Sequence, residues 1–338
     1  MKIKKEQFLE KLDAIKPGLS NKDIIEFADS VTFIDGLMIT YNDVIAVKCP
    51  LDHSFTGTVK ADKLHAHIQK VIPDSDGYIK VVMKGKDLLI KSSKSKAGLP
   101  INPEGQVSLE ELGAPVKKWK KLPSDFTEGI RLSIFAAGSD ASAPKLTCLH
   151  IAGDQVQSSN GHRGFKYKME KVINKEFLLP ATSAPSILNH PITTYSITKN
   201  WVHFKTKDNV IISCRMYANT SFPDTSFLYD IKGKSLSFPD KLKGVIDRAV
   251  DFIGEDEDEK NIHLSIKKES MKVKSKCIQG WFEEKISTKS KRKVKFEINP
   301  FFLKDILKSS MVAKLDNKNG LLKFKSDKWE YVVNISPE

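Results

Sequence analysis

His65 and His67 stand two residues apart and are the first residues in this chain that suggest metal chemistry. The periodicity around them is helical, which turns the two rings onto different faces, so a metal pair is not expected. Asp43 and Asp52 flank a strand and read as turn residues. The chain has no glycine-rich phosphate loop, no dinucleotide fingerprint and no Gly-x-Ser-x-Gly elbow. Its four cysteines, Cys49, Cys148, Cys214 and Cys277, are scattered without a Cys-x-x-Cys pair. That pattern suits reduced thiols rather than a zinc site or a disulfide framework. No cofactor is therefore expected. Catalysis by residues scattered along the sequence stays open as one reading, that of a nucleic-acid-processing enzyme.

Charge carries more information than any motif of this kind. Lys plus Arg number 55 against 42 acids, a formal net charge of +13, which favours a polyanionic partner. In the helical stretch 59–71, Lys60, Lys63, His67 and Lys70 recur at i, i+3, i+7 and i+10, opposite an apolar stripe. Lys4 and Lys11 repeat the arrangement in the first helix, Lys241 and Arg248 in a later one, and Lys304 and Lys308 in the last. Arg131 lies on a helix near the middle of the chain. Basic residues on regular helices attract phosphates without reading bases. Aromatic residues are not interleaved with these stripes, so the expected partner is the duplex backbone, held without sequence preference.

The elements that carry these residues form a pattern repeated three times: a helix, a strand pair, a second helix and a group of strands. With 338 residues and 40% hydrophobic content there is ample apolar material for several cores. The first copy opens with a helix over 5–16, with Phe8, Leu9, Leu12 and Ile15 on one face and Pro17-Gly18 ending it. A hairpin follows with Asp35-Gly36 at its turn. The helix at 59–71 buries Leu64, Ile68 and Val71, and a strand pair covers 79–90. The second copy has Phe126, Ile130, Ile134 and Ala137 on a helical face, strands near 146–151 and 155–158, a turn at Asn160-Gly161 and a helix near 181–189. The third has Leu242, Val245, Ile246, Ala249 and Ile253 on one face, alternating strands from Ile262, and a helix capped by Asn299 with Pro300 at its first position. Corresponding helices recur at roughly 115-residue intervals, the size of one compact domain each. The acidic run at 255–259 reads as a solvated loop. No stretch reaches the roughly 18 uninterrupted apolar residues of a membrane span, and the first residues lack the apolar core of a secretory signal, so a cytoplasmic protein is expected.

Several short motifs then converge. Ser158-Ser-Asn-Gly-His-Arg163 resembles the Thr-Asp-Gly-His-Arg-Leu signature of the bacterial DNA polymerase III β subunit, the β sliding clamp. Lys175-Glu-Phe-Leu-Leu-Pro180, Ser221-Phe-Pro-Asp224, the run from Lys295 through Leu307, and Tyr331-Val-Val333 resemble further clamp segments in the same order. The resemblance covers the whole chain, most specifically 120–338.

The resemblance implies an α+β DNA clamp fold of three similar domains, 1–118, 119–225 and 226–338, each with two helices packed on antiparallel sheets. It implies a non-catalytic, head-to-tail homodimeric ring around double-stranded DNA, with the basic helix stripes lining the hole. The implied protein partners are a DNA polymerase, a clamp loader and other replication or repair proteins that carry clamp-binding peptides. Carried over by motif, the peptide pocket would use Leu146, Ser159, Gly161, His162, Arg163, Pro223, Phe227, Leu228, Val332, Val333, Asn334 and Ile335. Leu99, Phe252 and Ile253 would meet at the ring interface. Two departures bear on peptide preference. Gly164 stands where the family has Leu, removing a side chain from the pocket, and the chain ends Asn334-Ile-Ser-Pro-Glu338 rather than Met-Pro-Met-Arg-Leu. Besides the enzyme, the alternative is a clamp-fold peptide-binding hub that never encircles DNA.

Overall fold

Along the strand pair Ile262–Lys267 and Ser270–Cys277, Ile262, Leu264, Ile266, Met271 and Val273 are buried, while Ser265 and Lys272 between them face outward. This period of two means one face packs on a core and the other meets water. The same rule organises most of the chain. The structure is a computed structural model and describes residues 1–20, 22, 25–105, 116–217, 221–255 and 260–337. Of the acidic run at 255–259, residues 256–259 lie outside the described residues.

Seven α-helices interrupt the strands: α1 (Lys5–Ile15), α2 (Ala61–Lys70), α3 (Phe126–Ser133), α4 (Ala184–Leu188), α5 (Ser226–Tyr229), α6 (Leu242–Ala249) and α7 (Pro300–Leu307), counted among the described residues. Each long helix buries an apolar stripe: Phe8, Leu12 and Ile15 on α1, Leu64 and Ile68 on α2, and Leu242, Val245, Ile246 and Ala249 on α6. The helical face expected to reach Ala137 tightens after Ser133 into a 3-10 turn, Ile134–Ala136, so Ala136 is buried in its place. The stretch expected as a helix near 181–189 is likewise split, a 3-10 turn Ala181–Ser183 leading into α4.

Asn299 caps α7 as expected, its side-chain oxygen accepting from the backbone N–H groups of Phe301 (3.0 Å) and Phe302 (3.3 Å). Losing such a cap costs about 1 kcal/mol. Asn299→Ala is therefore expected to shift the urea midpoint down with an unchanged slope, whereas Asn299→Asp is expected to leave it near its original value.

The chain divides into two compact units, 1–127 with 182–218, and 128–181 with 219–338, so that residues 119–225 contribute to both. In the first unit, an eight-stranded sheet forms because strand Ile211–Arg215 pairs with Ile45–Pro50. A four-stranded sheet joins Lys2–Lys4, Tyr78–Lys84, Asp87–Lys91 and Lys96–Pro100. In the eight-stranded sheet, the hairpin at Asp35-Gly36 turns with both residues at positive φ, 49° and 72°, the type I′ geometry that matches strand twist.

In the second unit, a six-stranded sheet pairs the long hairpin Cys148–Ser159 and Arg163–Pro180 with strand Trp329–Asn334. Where two strands near 146–151 and 155–158 were expected, one continuous strand runs through, its register slipping on either side of Gly153. A five-stranded sheet completes the unit, with Gly280–Ser287 at one edge.

Candidate functional site

The second unit carries a cleft of about 900 Å³. Apolar side chains Phe227, Leu228, Ile231, Phe302 and Ile335 line it, with Asp230, Lys260 and Glu297 supplying charge of both signs. Phe227 is 70% exposed, an apolar ring left open to solvent at the cleft.

One wall of this cleft depends on the turn at 159–163. Asn160 Oδ1 accepts from the N–H groups of His162 and Arg163, both at 3.0 Å. Ser159 Oγ donates to the Arg163 carbonyl (2.8 Å) and accepts from Gly161 N–H (3.2 Å). Gly161 sits at φ +88°, which residues with a Cβ resist. The turn leaves the His162 ring exposed at the cleft, while its carbonyl accepts from Asn334 N–H at 2.9 Å. A short local sequence thus holds the C-terminal strand against the loop.

Of the twelve pocket residues expected from the sequence, His162, Phe227, Leu228, Asn334 and Ile335 line the cleft. Ser159 and Gly161 build its turn. Arg163 points inward: its side chain is 10% exposed, pairs with Asp305 at 3.0 Å, and stacks over Phe302 at 4.2 Å and Phe135 at 5.4 Å. Leu146 packs with Cys148, Leu178 and Phe222, Pro223 is exposed beside them, and Val332 and Val333 are core residues of their strand. Alternation explains the last pair, because the strand is covered on both faces.

The space at Gly164 is not vacant. A Cβ built there would lie 2.9 Å from the Tyr229 hydroxyl and 3.8 Å from Leu228 Cδ1, so Tyr229 occupies the room that a larger residue would take. Burial, followed by the nearby Glu330 charge, pushes the Tyr229 phenol above its usual range. Phe302, Ile231 and the charged rim went unrecognised in the sequence as cleft residues; two large apolar residues side by side at 301–302, more than one helix face needs, were the available signal.

Of the expected phosphate-facing residues, Lys60, Arg131, Lys304 and Lys308 pair with Asp29, Glu128, Asp247 and Asp305, and Arg248 is held by both oxygens of Glu284 at 2.8 and 2.9 Å. Lys11 Nζ donates to the Pro50 carbonyl at 2.6 Å. His67 is half-buried, its Nε2 without a partner among the described residues. Lys63 is exposed, 3.9 Å from Asp62, and Lys4 lies 6.0 Å from the Tyr78 ring. Lys70 and Lys241 are exposed, with no ion pair among the described residues. His65 bonds Asp13 at 2.9 Å. Among the described residues, no three His, Cys, Asp or Glu side chains gather as metal ligands, and no helix is long and apolar enough to cross a membrane. The four cysteines are unpaired and buried.

Leu99 is half-buried on the edge strand Lys96–Pro100. Phe252 is half-buried and stacks on Phe282 of the edge strand Gly280–Ser287 at 6.2 Å, with half-buried Ile253 beside it in sequence.

No protein-family profile and no curated protein sequence matches the chain. Solved structures do. The DNA polymerase III β chain of Streptococcus pneumoniae is similar with a TM-score of 0.84 at 17% identity, over 100% of this chain and 98% of that one. The β subunit of Pseudomonas aeruginosa is similar with a TM-score of 0.82 at 16% identity, over 100% and 99%. A Pseudomonas aeruginosa sliding clamp bound to griselimycin gives 0.82 at 16%, over 100% and 98%.

Proposed function

From a chain with the α+β fold of the bacterial β sliding clamps along its entire length, we propose a DNA sliding clamp, a non-catalytic processivity factor that encircles duplex DNA and tethers a polymerase. The observation that carries this reading is the coverage, 100% of this chain and 98–99% of the solved clamps.

In this reading, 1–118, 119–225 and 226–338 are three similar domains, and two chains join head to tail. The edge strands Lys96–Pro100 and Gly280–Ser287 favour that assembly, because each ends its sheet with unpaired backbone groups that another strand satisfies. Leu99, Phe252 and Ile253 would pack beside the joint. Lys4, Lys11, Lys60, Lys63, His67, Lys70, Arg131, Lys241, Arg248, Lys304 and Lys308 would face DNA. The acids beside many of them suit sliding: exposed ion pairs contribute about 0–1 kcal/mol, so a phosphate exchanges for the carboxylate at little cost. The contact is weak, diffuse and mobile.

The cleft with Phe227, Ile231, Phe302 and Ile335 would receive a short peptide from a polymerase, clamp loader or repair protein. One or two apolar anchors fit its floor, and its mixed rim favours a peptide with both charges.

A ligation assay tests the topology. Protein mixed with linear duplex that is then ligated into a closed circle is expected to stay bound in high salt and to be released when the circle is cut. Equal retention on circle and linear DNA would rule out encirclement.

A further inference from the structure

The five-stranded sheet of the second unit is polarised along its strands. The turn after Cys277 exposes Ile278 and Trp281 at one end, at 88% and 71%. At the other end lie the turn Lys268-Glu269 and the loop 288–293, which runs from strand Gly280–Ser287 to strand Val294–Ile298. The two are tied together, with Thr288 N–H donating to the Glu269 carbonyl at 2.8 Å. Ile266 faces Val294, so the next step of that register sets Lys267 beside Lys293. This end gathers Lys267, Lys268, Lys289, Lys291, Arg292 and Lys293 against one carboxylate on the same segments, Glu269. None of these cations has an ion pair among the described residues.

The loop is built to present them. Thr288 and Ser290 are buried, and the exposed Lys289, Lys291 and Lys293 alternate with them. Ser290 N–H donates to Thr288 Oγ1 at 3.2 Å, and Arg292 Nε donates to the Ser235 carbonyl at 2.7 Å. In the turn, Lys268 and Glu269 hold φ at 50° and 61°, a left-handed geometry that glycine or asparagine adopts more readily. A lysine thus occupies a strained position where a less costly residue would close the same hairpin.

The strand order places Ser270–Cys277 and Ile262–Lys267 between the two strands that the loop joins. Three spacings of about 4.8 Å make the cationic end about 14 Å wide. That width matches about four phosphate positions along one strand of a duplex, at about 3.4 Å each. Residues 267–269 and 288–293 include no apolar or aromatic side chain. Bases of a single strand would find no ring to stack on, and a peptide or a lipid surface would find no apolar anchor. A duplex meets a protein surface through its phosphates and needs neither. We propose that this end of the sheet is a second contact for duplex DNA, with phosphates held along Lys268, Lys289, Lys291 and Lys293. The proposal rests on DNA being the protein's partner but not on ring closure, and none of these residues belongs to the helical stripes.

The test is fluorescence anisotropy of a short labelled blunt duplex with the full chain, across a salt series. K289Q/K291Q/K293Q is expected to weaken binding at least tenfold at low salt and to reduce the salt slope by about 2.7, three phosphate contacts at roughly 0.9 each. K268G is expected to reduce the slope by about 0.9 without lowering the melting temperature, because glycine suits the turn. K84Q/K86Q/K276Q removes the same charge from exposed positions elsewhere and is expected to keep the wild-type slope. An unchanged slope for K289Q/K291Q/K293Q would overturn the proposal. So would an equal loss for K84Q/K86Q/K276Q, since net charge alone would then account for it, or a larger loss for oligothymidylate or polyglutamate than for the duplex. Retention on a ligated circle in high salt, where these contacts are screened, reads the ring separately. A wild-type protein that fails that assay yet shows these slope changes supports the contact and overturns the ring alone.

Discussion

Between pH 7 and pH 4 the protein is expected to lose about 3 kcal/mol of stability through His203 alone. His203 is 3% exposed on strand Trp201–Thr206, with Nδ1 2.7 Å from Ser213 Oγ and Nε2 3.1 Å from Thr198 Oγ1. Burial first, and then the Lys48 charge, lower its pKa from 6.5 to about 4. The unfolded chain therefore binds a proton over the interval in which the native state refuses one. The stabilising contribution is complete above the unfolded value near 6.5, falls away as the pH drops, and is gone below about 4. At about 1.4 kcal/mol per pKa unit, the difference reaches about 3 kcal/mol. Urea unfolding at pH 7, 5.5 and 4 reads it directly. His203→Gln is expected to be less stable at pH 7 and to lose much less on acidification than wild type. Parallel pH curves for the two proteins would show that His203 is not the buried neutral group.

Asp305→Ala is expected to be among the most damaging single changes in the second unit, at about 3 kcal/mol. It strips the partner from Arg163, whose guanidinium is enclosed by Phe302 and Phe135, and a buried charge left alone costs about 3–5 kcal/mol. The lower end applies because Asp305 is itself 31% exposed and water can approach the vacancy. Removing both charges is expected to do less harm: R163M/D305L should recover much of the loss, since a well-packed apolar pair avoids the desolvation cost. Chemical denaturation of the two single variants and the double variant gives the coupling. A loss below 1 kcal/mol for Asp305→Ala would mean that Arg163 reaches solvent. Because Phe302 lies under the guanidinium and also lines the cleft, the same series reports how far the cleft relies on this buried pair.

Local periodicity makes most elements legible in the sequence. Phe8, Leu12 and Ile15, Leu64 and Ile68, and Leu242 through Ala249 all bury the face their spacing predicts. Asn299 caps its helix, and Asp35-Gly36 turns its hairpin. Strands whose signal is weak alone were missed: Gly57–Lys60 reads as the start of a helix, and Gly280–Ser287 mixes aromatic and charged residues without a clean alternation. Both are sheet edges, where one side lacks a neighbour and the pattern is loosest.

For the candidate site, the segment from Ser159 to Arg163 announced itself because a turn of this kind is encoded within five residues. Its inward-facing arginine did not, since Asp305 lies 142 positions away. The same limit applies to charge. Spacing placed Lys60, Arg248 and Lys304 on helix stripes, but only the folded chain brought Asp29, Glu284 and Asp247 to them.

What the sequence determined by itself is therefore what acts over one helical turn or one hairpin: periodicity, caps, turns and the overall excess of lysine. The tertiary structure decided which strands lie side by side, and with that whether a cation meets a carboxylate, as Lys274 meets Glu283, or another cation, as Lys80 meets Lys91. Register between strands is set by packing of their buried faces. Charges on the outer face follow that register without choosing it, so their partners cannot be read from spacing along the chain.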